Sequence, residues 1–326
     1  MLEYRIEERL DGKTVLEVMK RELGLSTALI KHLKFSEGGI LVDGQHVTVR
    51  HVLRTGALLS LAVEDRESAE CIVPVDLPLT VVYEDGDVAV PDKPADMPTH
   101  PSHGHWEDTV ANALAYRYEQ RGIPFVFRPV NRLDRNTSGL LLIARNRVAA
   151  GELYRAMRAG RIRKLYLAIL VGELGEESGE IEAYMRRTAE SVIVREICDP
   201  QEGGDYSRTR YRVLARGEGY TLVCAAPLTG RTHQLRVHFA HLGCPILGDS
   251  LYGTPSAELD RHALHSCFLE FPRVSDGAPV RVSAPMPGEL AAVVERWFDV
   301  HALTPERLSA LARELTESDE ILKEKG

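Results

Sequence analysis

The chain has 326 residues, 44% of them hydrophobic and 27% charged, a length that allows two domains, one of ordinary size and one small. No apolar run approaches the ~18 residues of a membrane span, and the charged start from Met1 to Arg9 lacks the apolar core of a secretory signal. A net charge of −8 argues against a polyanionic partner, yet ten basic residues between Arg128 and Ala168 are opposed only by Asp134 and Glu152, and local potential decides where a polyanion docks.

Part of the acidic excess sits in the tail, around Glu314, Glu317, Asp319, Glu320 and Glu324. The five cysteines (Cys71, Cys198, Cys224, Cys244, Cys267) are scattered and include no Cys-x-x-Cys pair. This pattern predicts reduced thiols in a cytoplasmic protein, not a disulfide framework or a zinc site.

Residues 1–64 read as a small module. Asp11 or Thr14 caps a helix carrying Val15, Leu16, Met19 and Leu23, ended by Gly24. Ser26 opens a second helix with Leu29, Ile30 and Leu33. Two short strands follow around the Asp43-Gly44 hairpin turn, and Leu58 to Val63 supplies another. Residues 65–78, with Pro74 and Pro78, read as a linker.

From Leu79 to about residue 300 the chain reads as one large unit. Strand-like segments at Thr80–Tyr83, Gly139–Ala144, Lys164–Val171 and Tyr220–Ala225 are interspersed with helical stretches near 108–121 and 147–159. Strands that follow one another without regular intervening helices predict an α+β fold with a mixed, mostly antiparallel sheet. Residues 301–326 form a charged helical tail.

Three segments carry candidate chemistry. In Asn131-Arg-Leu-Asp134-Arg-Asn-Thr-Ser-Gly139 a carboxylate sits in a polar turn between arginines, ahead of an apolar strand; Asp134 either caps that turn or reacts. In Arg163-Lys164-Leu-Tyr166-Leu-Ala168, alternation puts Lys164, Tyr166 and Ala168 on one face, with Tyr166 either a core aromatic or a site residue. The third segment runs from Leu228 through Gly230, Arg231, His233, Gln234, Arg236, His238 and His241 to Gly248-Asp249 and Tyr252-Gly253. As a helix from Thr232 to Leu242 it places Leu235, Phe239 and Leu242 on one face and offers Arg231 and backbone donors to an anion. Its histidines lack metal-ligand spacing, as do His100, His103 and His105, so no metal is expected. No dinucleotide loop or Walker motif is present, and no cofactor is expected.

Together these segments resemble the RluA family of pseudouridine synthases from about Leu79 to Val300, with weaker echoes at Asp92-Lys93-Pro94, His100–His105 and Arg261–His265. The first segment departs from the commoner family pattern only in carrying Asn131 where many members have histidine. Residues 1–64 resemble an S4 RNA-binding domain through Arg9-Leu-Asp11 and Ile40–Gly44. They depart from it at Thr27, where an arginine is usual, and at Ala57, where an aspartate is usual.

The resemblance implies a cofactor-free isomerisation of uridine in structured RNA, large-subunit ribosomal RNA first and transfer RNA as the alternative. It makes Asp134 the nucleophile, Arg231 its guanidinium partner, and Tyr166 the residue that stacks on the base and helps remove the C5 proton. Arg132 enters the RNA helix where the target leaves. Asn131, Arg163, Lys164, His233, Gln234 and Arg236 are RNA contacts of the large unit, and Lys31 and Lys34 those of the small module. A monomer is expected. The competing reading is a noncatalytic RNA-binding or ribosome-assembly protein that retains the fold.

Overall fold

The computed structural model describes all residues except Gly24, Ser26, Glu37, 63–71, His301 and 318–326, and gives only the backbone of Thr27, Ala28 and His32. The expected helix stop at Gly24, the helix start at Ser26, residues 65–71 of the expected linker and the last acidic residues therefore lie outside the described residues. Among the described residues no helix is long and apolar enough to cross a membrane.

The small module packs two helices on a four-stranded sheet. Its strands are β1 (Leu2–Arg5), β2 (Ile40–Val42), β3 (Gln45–His46) and β4 (Leu58–Leu61), in the order β1-β4-β2-β3. Thr14, not Asp11, caps α1 (Val15–Glu17, continuing as a π-helical turn over Val18–Glu22): its hydroxyl accepts from the Glu17 amide, and Glu17 accepts from the Thr14 amide. Helix α2 spans Thr27–Phe35. Asp43 and Gly44 both take positive φ, +48° and +79°, as the two-residue turn between β2 and β3 requires. Val15, Met19, Leu33, Leu53 and Leu59 fill the core between helices and sheet.

The large unit is built on twelve strands. In chain order they are β5 (Thr80–Glu84), β6 (Val88–Lys93), β7 (Arg128–Pro129), β8 (Ser138–Leu140), β9 (Ile143–Ala144), β10 (Arg163–Val171), β11 (Ser178–Arg187), β12 (Arg195–Cys198), β13 (Asp205–Gly217), β14 (Tyr220–Pro227), β15 (Leu264–Pro272) and β16 (Pro279–Ser283). The order β12-β11-β13-β14-β10-β15-β8-β6-β9-β7, with β16 on β15 and β5 on β6, is antiparallel except where β8 runs parallel to β15. This is the expected mixed, mostly antiparallel sheet.

Among the described residues, five helices cover it: α3 (Val110–Glu119), α4 (Arg147–Arg158), α5 (Gln234–His241), α6 (Gly288–Trp297) and α7 (Pro305–Thr316). Leu235 and Phe239 of α5 and Leu290, Val293 and Val294 of α6 join the main core with Tyr166, Ala168 and Leu170 of β10. Leu165 and Leu167, on the other face of β10, meet Leu308, Leu311, Ala312 and Leu315 of α7. The charged tail is thus, up to Thr316, a packed layer of the large unit. Residues 72–78 are not a free linker either, since the Asn112 side chain donates to the Val73 carbonyl and Val75 donates to that of Asn112.

Candidate active site

The Asp134 turn is anchored at almost every residue. Thr137 donates its amide to the Asp134 carbonyl, closing the turn. Thr99 Oγ1 donates to the Leu133 carbonyl at 2.9 Å, and the buried Lys93 ammonium donates to the Arg135 carbonyl at 2.8 Å. Arg261 donates to the Asn136 carbonyl at 3.2 Å, and Thr137 Oγ1 bonds His262 Nε2 at 2.8 Å. Ser138 meets His265 Nδ1 at 3.0 Å. Gly139 has φ +108°, and a Cβ there would lie 2.2 Å from the Ser266 carbonyl oxygen. Only glycine lets β15 approach this closely. The loop is therefore rigid, as a site that must hold a reactive group in place requires.

Opposite it stands the start of α5. His233 takes a left-handed conformation (φ +58°) ahead of the helix, so α5 begins at Gln234, two residues later than the expected Thr232. The helix then projects Arg236 toward Asp134: its Nη1 stands 3.2 Å from Asp134 Oδ2, while Nε and Nη2 grip Asp249 at 2.7 and 2.8 Å. Burial works against charge on Arg236, but the bonds to Asp249 and the charges of Asp249 and Asp134 outweigh it, and its pKa is raised. Asp249, fully buried, is also held by the amides of Leu251 and Tyr252. His233 Nε2 lies 3.8 Å from Asp134 Oδ2, and its Nδ1 pairs with the Tyr252 hydroxyl at 2.8 Å. Burial lowers the His233 pKa.

These groups line a cleft of about 590 Å³ that holds Asp134, Arg135, His233, Arg236, Arg261 and His262, a volume suited to a small molecule or one nucleotide. Tyr166 lies behind it, buried, with Ser266 and Asn131 at its hydroxyl, and burial pushes its pKa up to about 12.

Several of the expected residues lie away from the Asp134 cleft. Arg231 does not face Asp134: its Nε donates to the Tyr206 carbonyl at 2.9 Å and its Nη1 lies 3.4 Å from Asp205, because the left-handed His233 turns the chain between them. The Arg231 amide donates to the Gln234 side chain, which also donates to Arg208 and Thr209 and so ties the turn to β13. Gln234, expected as an RNA contact, is buried and bonded within the protein. Arg163 is engaged by Glu270 and Glu317. Lys164 precedes a bulge at Leu165/Tyr166 and does not line the cleft. Leu242, expected on the core face of α5, is 40% exposed where the helix ends.

Among the other expected residues, Arg132 is exposed beside His100 and Asn131 accepts from the Leu142 amide at 2.7 Å. Lys31 and Lys34 are exposed on α2. The three histidines of the third segment diverge: His233 faces the cleft, buried His238 bonds Ser207, and His241 is exposed. Thr99 carries no signal in the sequence, and Lys93, Arg261 and His262 stand out there only as echoes of a family pattern, because each acts on the Asp134 loop from far along the chain.

A family model for RNA pseudouridylate synthase matches residues 87–241, the span that holds Asp134 and Arg236. An uncharacterized RNA pseudouridine synthase of Bacillus subtilis, YjbO, is 34% identical over 84% of this chain and 96% of its own. The ribosomal large subunit pseudouridine synthase D of Xanthomonas campestris is 37% identical over 78% of this chain and 79% of its own. The structure of human RNA pseudouridylate synthase domain containing 1 superposes with a TM-score of 0.60 at 31% identity, covering 74% of this chain and 97% of that one. With two relatives above 30% identity, each matched over more than three quarters of both chains, the protein belongs to the RluA family of RNA pseudouridine synthases and is an isomerase acting on RNA.

Proposed function

We propose that this enzyme isomerises uridine in large-subunit ribosomal RNA, with Asp134 as the nucleophile and Arg236 as its guanidinium partner. The observation that carries this reading is the Asp134 carboxylate, held 3.2 Å from Arg236 in a cleft of nucleotide size. The reaction is redox-neutral. Attack by Asp134 on the ribose or the base forms a covalent adduct and breaks the bond between C1′ and N1, the uracil turns, C1′ bonds to C5, the bond to Asp134 breaks to free its carboxylate, and the proton lost from C5 is balanced by the one N1 gains. Arg236 stabilises the attacking anion before attack and after release. Tyr166, buried behind the cleft, is the residue that the resemblance assigns to stacking on the uracil and helping to remove the C5 proton.

The ribosomal substrate is supported by the large-subunit specificity named for the Xanthomonas campestris relative and by the S4-like small module. There, exposed Lys31 and Lys34 flank the C-terminal half of α2, and Phe35 is 73% exposed beside the Lys34 ammonium. Exposed Arg155, Arg158 and Arg161 at the end of α4 add phosphate contacts. The enzyme works as a cytoplasmic monomer.

Tritium release from RNA labelled at uridine C5 tests the chemistry: Asp134→Asn should fold as wild type and release none, and release at the wild-type rate would overturn the assignment. Pseudouridine mapping in RNA from a deletion strain tests the substrate. Loss of a site in large-subunit RNA is expected, and a loss confined to transfer RNA would refute the ribosomal reading.

A further inference from the structure

The hairpin between β11 and β12 ends in a tip that the proposed mechanism leaves unused. Val192 is 76% exposed and Ile193 58% exposed, two adjacent β-branched residues facing water. Such a tip would ordinarily be mobile, but this one is built. The Arg195 guanidinium donates to the carbonyls of Val192, Ile193 and Val194 at 3.2, 2.9 and 3.2 Å, and Ser191 Oγ accepts from the amides of Ile193 and Val194.

The tip is also tied to the active site. The Arg195 amide donates to the Tyr252 hydroxyl at 2.9 Å, Tyr252 meets His233 Nδ1, and His233 faces Asp134. Ile193 lines the same cleft as Asp134, with Leu251, itself 44% exposed, beside it on that wall. A fixed apolar edge thus stands across the cleft from the Asp134 loop and its arginines.

We propose that the Val192-Ile193 tip is an apolar wedge that packs on the base flanking the step opened in the substrate RNA when the target uridine turns into the Asp134 cleft, the step itself being the one the resemblance has Arg132 enter. This rests on the reading of that cleft as the uridine site. The partner follows from the chemistry present. A stacked nucleobase offers the flat apolar face that two aliphatic side chains can cover, and exposed Arg135, which lines the same cleft, suits a phosphate rather than a protein's apolar surface. Aliphatic side chains inserted between bases hold a helix unstacked, and a base must leave its stack before an enzyme can work on it.

The wedge acts on the flipped state, so it should affect the rate at saturation more than binding. The test is single-turnover tritium release with enzyme in excess over RNA. That RNA is bulk 5-tritiated uridine RNA from a strain lacking this gene, so every natural substrate is present. For V192S/I193S the plateau rate should fall about tenfold or more, while the half-saturating enzyme concentration changes by less than about threefold. The volume-preserving swap V192I/I193V should keep the wild-type plateau. Both residues are exposed, and circular dichroism melts should match wild type.

A V192S/I193S plateau within about twofold of wild type overturns the wedge, as does a change confined to half-saturation, or a swap variant as slow as the serine variant. Asp134→Asn run in parallel separates the two claims. If that variant is active the cleft reading itself fails; if it is dead while V192S/I193S runs at the wild-type rate, only the wedge falls.

Discussion

The Arg236 guanidinium meets the fully buried Asp249 carboxylate through two parallel bonds of 2.7 and 2.8 Å. Two-point pairing fixes the guanidinium plane, and that plane aims the remaining nitrogen at Asp134. A lysine could hold one carboxylate but not orient toward a second in this way.

From this geometry Arg236→Lys should lower kcat by about a hundredfold or more, the scale of losing one preorganised donor, with folding largely kept. Arg231→Ala should lower kcat by less than about tenfold, because the Arg231 guanidinium bonds Tyr206 and lies beside Asp205 instead of Asp134. Asp249→Ala strands a buried cation and should cost about 3–5 kcal/mol of stability, read from urea unfolding. Equal kcat losses for Arg231→Ala and Arg236→Lys would show that the pairing rearranges when RNA binds.

How far this site was legible in the sequence differs by residue. The Asp134 turn was legible because its residues are contiguous. Arg231 and Arg236 were not distinguishable, since a helix that begins at Thr232 and one that begins at Gln234 read alike until the left-handed His233 is seen. Lys93, Thr99 and Arg261 reach the loop only through the order of β6, β8 and β15 in the sheet, which spacing along the chain does not encode. Strand β1 was missed because Glu3 and Arg5 made the segment read as a charged terminus, although Leu2 and Tyr4 alternate with them toward the core and pair with β4. Helix α7 was visible as a pattern, but its partner face on β10 was not.

Acid should destabilise the protein through buried histidines. Burial pushes His238 and His265 down to about 4, from an ordinary value of 6.5. Both are neutral in the fold, so the unfolded chain binds more protons below pH 6.5. Their contribution is complete above that pH and is lost as pH falls toward about 4. Between these limits the pair alone should give a slope of about 2 kcal/mol per pH unit. His265→Gln should remove about half of it, checked by urea unfolding at several pH values from 7 to 4.5. An unchanged slope would mean His265 is protonated in the fold.

The small module and the large unit meet at Val148 in the first turn of α4, which packs against the module core. Deleting residues 1–70 uncovers that side chain and removes Lys31 and Lys34. The truncated enzyme should melt a few degrees lower, about the effect of 1 kcal/mol on a domain of this size. It should bind long ribosomal RNA about tenfold or more weakly, because tethered weak sites reinforce one another, yet act on a short hairpin at the full-length rate. Equal losses on both RNAs would make the module a structural support.

The close approach of β8 and β15 at Gly139 gives the most stringent prediction. Gly139 takes φ +108°, outside the range side chains readily adopt, and a Cβ would stand 2.2 Å from the Ser266 carbonyl oxygen and 2.7 Å from its amide nitrogen. Neither obstacle can swing aside, since Ser266 is backbone in the central sheet, paired with Gly139 on one side and Tyr166 on the other. Relief requires β15 to move away from β8, which would carry His262 off Thr137 and His265 off Ser138 and release the Asp134 turn. Gly139→Ala should therefore cost more than about 3 kcal/mol, combining steric overlap with backbone strain. Whatever protein folds should lose activity even at low temperature. Gly151, half-buried on α4 with nothing within 4 Å of its would-be Cβ, is the control: Gly151→Ala should stabilise by about 0.5–1 kcal/mol. Thermal melts of the two variants decide the matter, and a Gly139→Ala protein that melts with wild type would refute the close packing of β8 on β15.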